Sequence, residues 1–555
     1  MILGQFAHAG TITGATPQGT IRFGMNTVVR EGTQALLAHS RASHYRFVAS
    51  PPSVDAVRAE MWSIMPGLAR GRLPEVTVES LIDFVYRHGQ APDAWLDLGG
   101  DVKRPHRFRR RVGGSYPIAI IPHSVSYGYC LHDWFLPLLL GDVRACDSVV
   151  CTSPSGLAVV RATLDHLTED LNRRGLALPY RGRLDVVPLG VDVERFRPAE
   201  ANAKDAARIK FGIPLDAFAL LWVGRISSQD KADLVPLLAV LRAIGRERPA
   251  AHVHLLIAGT PRDVEAQILA TETERLGIAN HVIALGQVPD DNLPTLYQAA
   301  DVFVSPVDST QEMFGISVIE AMASGLPVIC SDWVGYRDSV VPGETGILVG
   351  TSRMVPDPAA ELAADFAEWS LQGGEMLDQW VQAQSTTVDM DELARAVVDL
   401  YDHPDRRRQM GEAGRRRAIA EFAWPQIVEL WDDLLDDLRT CDATPIVSHT
   451  YERPHLAGLL TSYRSTGTCW NGKTWTGERA PKAIDPRPHF RLAAECAEYP
   501  EDSPPGAFRV AWEDKHEVEA AERLPVRGDG DDLQRLETIG SPLERFEAKP
   551  EVKTT

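Results

Sequence analysis

"QEMFGISVIEAMASGLPVICSD", residues 311–332, is the stretch from which the fold is best predicted. Its middle part, ISVIEAMA, is apolar and long enough for a short helix, and VICS is a short apolar run that suits a buried strand. Between them, Gly325 is a typical residue just past a helix end, and Pro327 prevents the helix from continuing. The sequence therefore predicts a helix that begins near Phe314 or Gly315, followed by a strand.

Similar apolar runs alternate with helix-like segments from residue 218 onward, and a looser alternation covers the first 180 residues. Strands that are apolar on both faces and alternate with helices are typical of parallel sheets covered on both sides. The predicted strands are MILGQF (1–6), HYRFVAS (44–50), DAWLDL (93–98), PIAIIPHSV (117–125), DSVVCTS (147–153), FALLWVGRIS (218–227), VHLLIAG (253–259), HVIALG (281–286), DVFVSPV (301–307) and PVICSD (327–332). Helices are predicted near residues 19–39, 134–146 and 155–174.

We therefore expect an α/β protein of two Rossmann-like, doubly wound parallel-sheet domains that face a cleft, with a C-terminal extension. The predicted parts are an N-terminal Rossmann-like domain (1–183), a C-terminal Rossmann-like domain (184–424), a final helix packing back toward the N-terminal domain (425–442) and a poorly specified, partly disordered extension (443–555). The final helix has apolar residues at roughly helical spacing: Phe422, Ile427, Leu430, Leu434, Leu435 and Leu438.

The charge, the cysteine spacing and the hydropathy of the chain argue against several classes of function. The chain has 555 residues and a formal charge of -19, which argues against binding to nucleic acid driven by overall charge. Its seven cysteines are scattered without a CxxC pair, and no stretch approaches the roughly 18 apolar residues of a spanning helix. We expect a cytoplasmic protein. The basic run DVKRPHRFRRRVGG (101–114) is either a solvated loop or a contact for an anionic acceptor or for the inner face of a membrane.

Two glutamates frame the start of the predicted helix. Glu312 precedes it and Glu320 lies inside it. A helix N-terminus at the carboxyl edge of a parallel sheet suits a phosphate, and carboxylates on either side of it suit the hydroxyls of a sugar and of a ribose. The alternative is that Glu312 is a solvated loop charge and Glu320 interacts with the helix dipole.

The segment EMFGISVIEAMASGLPVICSDWVGYRDSVVPGETGILV (312–349) resembles the E-x7-E core of retaining glycosyltransferases of GT-B fold, specifically family 4 (glycosyl transferases group 1). Three further segments are similar to the family in the same order: VVPLGVDVERFRP (186–198), LLWVGRISSQDKADL (220–234) and HVIALGQVPDDNLPTLYQAADVFVSP (281–306). The resemblance is strong over 185–350, resumes at 388–438 and is absent from the tail.

In the donor half, the resemblance implies that Arg225 and Lys231 bind the donor diphosphate, although RISSQDK is one residue longer than the usual spacing. It also implies that Glu312 meets the transferred sugar and that Glu320 holds the ribose from a position partly exposed to the cleft. The implied backbone contacts to the phosphates and the base are Phe314, Gly315, Ile316, Ser317 and Val288.

In the N-terminal half, His123 ends a predicted strand, where the family often carries a histidine that touches the donor sugar. A structural histidine at a strand end is the alternative. Gly14 and Gly19 resemble the flexible glycine-rich loop that closes over the donor phosphates.

The implied activity is retaining transfer, of hexosyltransferase type, from a nucleotide diphosphate sugar to an acceptor hydroxyl in glycan biosynthesis, with no metal and no cofactor. The acceptor is unknown and could be lipid-linked, a polysaccharide or a small molecule; nucleic acid is not an expected partner. Two alternatives remain: a nucleotide-sugar epimerase of the same fold, and a non-catalytic scaffold that binds sugar nucleotides.

Overall fold

A computed structural model describes residues 1–8, 10, 12, 24–68, 73–86, 91–100, 102–128, 130–200, 202–261, 263–354 and 375–441. The predicted extension at 443–555 lies outside the described residues, as do the two glycines of the predicted phosphate loop, Gly14 and Gly19.

The first sheet has seven parallel strands in the order β3-β2-β1-β4-β5-β6-β7. The strands are β1 Ile2–Ala7, β2 His44–Ala49, β3 Glu75–Ser80, β4 Ala94–Asp97, β5 Ile118–Ile120, β6 Ser148–Cys151 and β7 Arg183–Val186. The strand order reverses direction between β1 and β4, which is where open α/β sheets form a ligand crevice.

The second sheet has six parallel strands in the order β10-β9-β8-β11-β12-β13. Its strands are β8 Phe218–Val223, β9 Val253–Ala258, β10 Val282–Gly286, β11 Val302–Ser305, β12 Val328–Ser331 and β13 Gly346–Val349. Two further strands, β14 Thr351–Arg353 and β15 Thr386–Val388, pair antiparallel beside it. The predicted fold class of two Rossmann-like domains is confirmed.

Helices flank both sheets. In the first half they are α1 Gly24–His39, α2 Val54–Leu68, α3 Leu81–Tyr86, α4 Arg104–Val112, α5 Leu136–Leu140 and α6 Pro154–Arg173. In the second half they are α7 Ala203–Phe211, α8 Val235–Glu247, α9 Asp263–Leu276, α10 Leu293–Ala299, α11 Ile316–Ala323, α12 Tyr336–Ser339, α13 Glu375–Gln384, α14 Met390–Asp402, α15 Pro404–Arg417 and α16 Trp424–Thr440. Within the described ranges, no helix combines the length and apolar character needed to cross a bilayer.

Strands β3 and β7 are absent from the sequence-based expectations. Both lie at edges of the first sheet, and the EVTVES sequence of β3 alternates polar and apolar residues. An edge strand is half-solvated, so it lacks the continuous apolar run that marks a central parallel strand. Because β7 spans Arg183–Val186, the predicted domain boundary at 183/184 falls inside this strand.

The last helix, α16, packs into the core of the first domain. Its buried apolar face consists of Trp424, Ile427, Val428, Trp431, Leu434, Leu435 and Leu438. Leu430 was predicted to belong to this face, but it is 44% exposed. At about 100° per residue it lies outside the arc that the other positions share, whereas Val428 and Trp431 lie inside that arc.

The basic run 101–114 is not a solvated loop, because most of it forms α4 with one buried face. Arg109 is fully buried, and its two terminal nitrogens donate to the Asp147 carboxylate at 2.5 and 2.8 Å. Phe108, on the same helix, is buried in the hydrophobic core of the first domain. Arg109 is therefore unavailable to a membrane or an anionic acceptor, which leaves the exposed Arg104 and Arg107 for that hypothesis.

Candidate active site

Helix α11 begins at Ile316, within two residues of the predicted start. The residue before it, Gly315, explains the sharp turn by which the chain enters the helix. Gly315 has φ +89°, and a Cβ atom built there would lie 2.1 Å from Cε1 of Tyr336. Only glycine fits this backbone and this approach. At the other end Gly325 has φ +76°, so the predicted glycine stop is confirmed.

The amides of Phe314, Gly315, Ile316 and Ser317 have no protein hydrogen-bond acceptor within the described ranges. The first N–H groups of a helix lack intrahelical partners and carry its positive dipole end. Because α11 starts close to the carboxyl edge of the second sheet, these four amides form a ready anion site.

Lys231 and Arg225, the two predicted cationic residues of the donor site, are each held by a carboxylate. Lys231 forms an ion pair with Glu312, and both side chains are only 15% exposed. Arg225 pairs with Asp230, whose carboxylate also accepts from Ser227 Oγ at 2.5 Å. The backbone amide of Lys231 donates to the Ser227 carbonyl at 3.1 Å, so a turn accommodates the extra residue in RISSQDK. The structure therefore brings Lys231 to Glu312 despite the longer spacing.

His123 follows β5 in the first domain. Its Nε2–H donates to the Leu98 carbonyl at 2.6 Å, and burial lowers the pKa of the imidazole. The ring is therefore neutral at pH 7, with its proton held on Nε2 and a lone pair on Nδ1. Such a nitrogen accepts a hydrogen bond from a hydroxyl group. A ligand hydroxyl is thus a suitable partner for this ring.

The burial of Glu320 differs from the sequence-based expectation. The side chain was predicted to be partly exposed to the cleft, but it is only 7% exposed, and Tyr297 Oη donates to its Oε2 at 2.7 Å. Burial is the main cause that raises the pKa of Glu320 to about 8. The carboxyl of Glu320 is therefore mainly neutral at pH 7. The sequence predicts an ionised carboxylate that only accepts hydrogen bonds, whereas the protonated carboxyl can both donate and accept them.

Glu320 makes the stability pH-dependent. Its pKa is raised from 4.5 to about 8, so between these values the unfolded chain is ionised while the folded chain keeps the proton. Stability from this group therefore falls as pH rises from about 4.5 to 8. We expect the free energy of unfolding of wild type, relative to Glu320→Gln, to fall by a few kcal/mol from pH 5 to pH 8. Urea unfolding at both pH values measures this difference, and an equal difference at both would show that Glu320 is ionised when folded.

Val288 lies in the loop after β10 and packs partly against the core of the second domain. Two residues later, Asp290 forms an ion pair with Arg30 of α1 at 2.6 Å. Arg195 joins the same group through Glu31 at 3.1 Å and through the Asp290 carbonyl at 2.7 Å. The loop predicted to read the base is thus tied to the first domain. No sequence pattern pointed to Arg30 or Glu31, because the partners are distant in the chain.

Asp308 and Glu60 are two more residues that the sequence did not single out. Asp308 lies between β11 and Glu312, and burial raises its pKa to about 7. Glu60 of α2 accepts from the backbone amides of Gly10 and Ile12 at 2.5 and 3.1 Å, just before the predicted glycine-rich loop. These two bonds hold the backbone in place at Gly10 and Ile12.

Metal-binding geometry is not evident in the described part of the chain, where no group of three or more His, Cys, Asp or Glu side chains is placed to hold an ion. The positive groups described at the start of α11 are the Lys231 side chain and the backbone amides of residues 314–317.

Comparison with known proteins gives three main findings. Residues 203–387 match a sequence model of the family Glycosyl transferases group 1. A D-inositol 3-phosphate glycosyltransferase from Corynebacterium urealyticum is 30% identical over 251 residues, which are 43% of this chain and 55% of that protein. The chain spans about half the length of the curated relatives it matches.

Two solved structures share the fold. Sucrose-phosphate synthase from Thermosynechococcus elongatus has a TM-score of 0.51 at 21% identity, covering 79% of this chain and 98% of that one. HepE from Anabaena, solved with UDP and glucose, has a TM-score of 0.53 at 14% identity, covering 79% and 100%. At such identities the likeness shows the fold alone. Residues 203–387 are therefore similar to the family Glycosyl transferases group 1, and the two-domain fold is shared with these two solved structures.

Proposed function

We propose that the protein transfers a sugar from a nucleotide diphosphate sugar to an acceptor hydroxyl, with retention of configuration at the anomeric carbon. The observation that carries this proposal is the grouping at the start of α11. Four amides that have no acceptor among the described residues lie close in the chain to Glu312 and its ion pair with Lys231, in a sequence context that matches the group 1 family. This grouping provides an anion site and a carboxylate for sugar hydroxyls in one place.

In the proposed reaction, the diphosphate lies against the amides of Phe314–Ser317, with Arg225 and Lys231 as its cationic partners. The bond between the anomeric carbon and the phosphate oxygen breaks, and the acceptor oxygen bonds to that carbon from the same face. The acceptor proton passes to the leaving phosphate. Positive groups matter most here, because charge grows on the leaving diphosphate in the transition state.

The sugar end has two proposed partners. Glu312 accepts hydrogen bonds from sugar hydroxyls, and donor binding replaces part of its contact with Lys231, which is then released toward the phosphate. His123 offers its Nδ1 lone pair to another sugar hydroxyl from the first domain. Closure of the two domains would exclude water, whose attack on the donor is the competing reaction.

Relatives and neighbours supply candidates for both substrates. The name of the C. urealyticum relative includes an inositol phosphate, and HepE was solved with UDP. We propose a nucleotide sugar as donor and leave the choice of base to experiment. For the acceptor, a hydroxyl-bearing small molecule is the first class to test. Lipid-linked acceptors and polysaccharides are the others.

Nucleotide binding tests the donor site. We expect one of UDP, GDP and ADP to raise the melting temperature of the full chain, because a ligand that binds only the folded state stabilises it by about 2.7 kcal/mol at 100 times its Kd. Differential scanning fluorimetry over a concentration series measures the shift. Glycerol phosphate is the matched control, because it carries a phosphate but no nucleoside. No shift with any of the three nucleotides would contradict the proposed site.

A further inference from the structure

The segment between β13 and α14 carries a buried amide that contacts both proposed catalytic loops. Its described parts are β14, α13 and β15, and the antiparallel pairing of Thr351 with Val388 holds the two ends of the segment together.

Gln379 of α13 is only 1% exposed. Its Oε1 accepts from Thr310 Oγ1 at 3.2 Å and also from Gln311 Nε2, and its Nε2 donates to the Ser126 carbonyl at 2.8 Å. Thr310 and Gln311 directly precede Glu312 in the second domain. Ser126 lies three residues after His123 in the first domain. One side chain therefore joins the loops that carry the two proposed sugar-binding groups.

Direct contacts between the same loops surround this amide. Ser126 Oγ donates to the Thr310 carbonyl at 3.1 Å, and Ser124 Oγ donates to the Gln311 side chain. Nearby, Ser153 Oγ donates to the Met313 carbonyl at 2.7 Å. Separating the loops would break these bonds in a buried place, where unpaired polar groups are costly.

We propose that Gln379 is a positioning residue for sugar transfer, which holds the Glu312 loop and the His123 loop in register across the domain interface. This inference rests on the proposed function. Within the described residues, Gln379 reaches the reacting groups through Thr310, Gln311 and Ser126, so it acts on their placement. Misplacement of reacting groups by about 1 Å can lower a rate by about 100-fold, which makes such a contact matter for turnover.

Two substitutions separate the parts of the contact. Gln379→Glu keeps an oxygen that accepts from Thr310 and Gln311, but it cannot donate to the Ser126 carbonyl. Gln379→Ala removes all three bonds. We expect both variants to lower kcat by about 10-fold or more, while UDP, GDP or ADP binds within about twofold of wild type, because the proposed nucleotide contacts lie in the second domain. Gln384→Ala, exposed on the same helix, is the matched control and should behave as wild type.

The measurements are kcat and KM from nucleoside diphosphate release, nucleotide affinity by calorimetry, and the radius of gyration by X-ray scattering with and without nucleotide. We expect the Gln379 variants to remain more extended than wild type when nucleotide is bound. If either variant fails to fold, Thr310→Val removes one bond of the same set and should lower kcat without changing nucleotide affinity. Wild-type kcat in the folded variants would overturn the inference. A wild-type chain that binds no nucleotide would instead overturn the proposed function.

Discussion

Glu312→Gln is expected to lower turnover by about 100-fold or more while the chain stays folded. The carboxylate is the partner of Lys231 and, in the proposed reaction, of the sugar hydroxyls. An amide of the same size keeps the volume but loses the charge, so it weakens both the grip on the sugar and the placement of Lys231. The effect should appear mainly in kcat, because the proposed contacts of Arg225 and of the helix amides with the diphosphate remain.

The matched control is Glu344→Gln, an exposed glutamate in the loop before β13. It should turn over at the wild-type rate. Kinetics of nucleoside diphosphate release, with melting temperatures to check the fold, compare the two variants. Equal turnover in Glu312→Gln and wild type would mean that Glu312 is only a structural partner of Lys231.

Arg225→Ala should also cost about 100-fold or more in kcat/KM, with weaker nucleoside diphosphate binding. The side chain is the proposed cationic partner of the leaving phosphate, and it is held by Asp230. Arg225→Lys keeps the charge but loses the planar fork, so we expect it to recover only part of the activity. Calorimetry with the nucleoside diphosphate should show the loss directly.

The control for this change is Arg275→Ala, on the exposed face of α9, where Arg275 pairs only with Glu272 of the same helix within the described residues. It removes the same charge away from the cleft. If Arg225→Ala binds the nucleotide with wild-type affinity, Arg225 serves only as the ion-pair partner of Asp230 and does not bind the diphosphate. The Gln379 variants differ from this pattern, because they should lose kcat and keep nucleotide affinity.

Much of the fold could be predicted because its central strands bury both faces. FALLWV and VHLLIA are continuous apolar runs, and both form central strands of the second sheet. The edge strand Glu75–Ser80 could not be found in this way, because its outward residues are polar. The exposed Leu430 shows a similar limit, since approximate helical spacing does not define the edges of a buried face.

The site was predictable where its parts are close in the chain. The glycine at 315, the helix after it and the glycine stop at 325 follow from local backbone preferences. Contacts between distant segments were not predictable. Tyr297 donates to Glu320, whose pKa is raised by burial, and Gln379 joins two loops more than 180 residues apart. The first pairing depends on packing within the second domain and the second on how the two domains meet, and a single sequence reveals neither.

Mass spectrometry of reaction products tests the central claim most directly. The full chain would be incubated with a panel of nucleotide sugars and a small-molecule extract of the cells that naturally express it, beside Glu312→Gln. The account predicts an acceptor that gains the mass of one sugar, in step with nucleoside diphosphate release, and far less of it with the variant. Conversion of a donor into its epimer, or no product from any donor with wild type, would contradict the account.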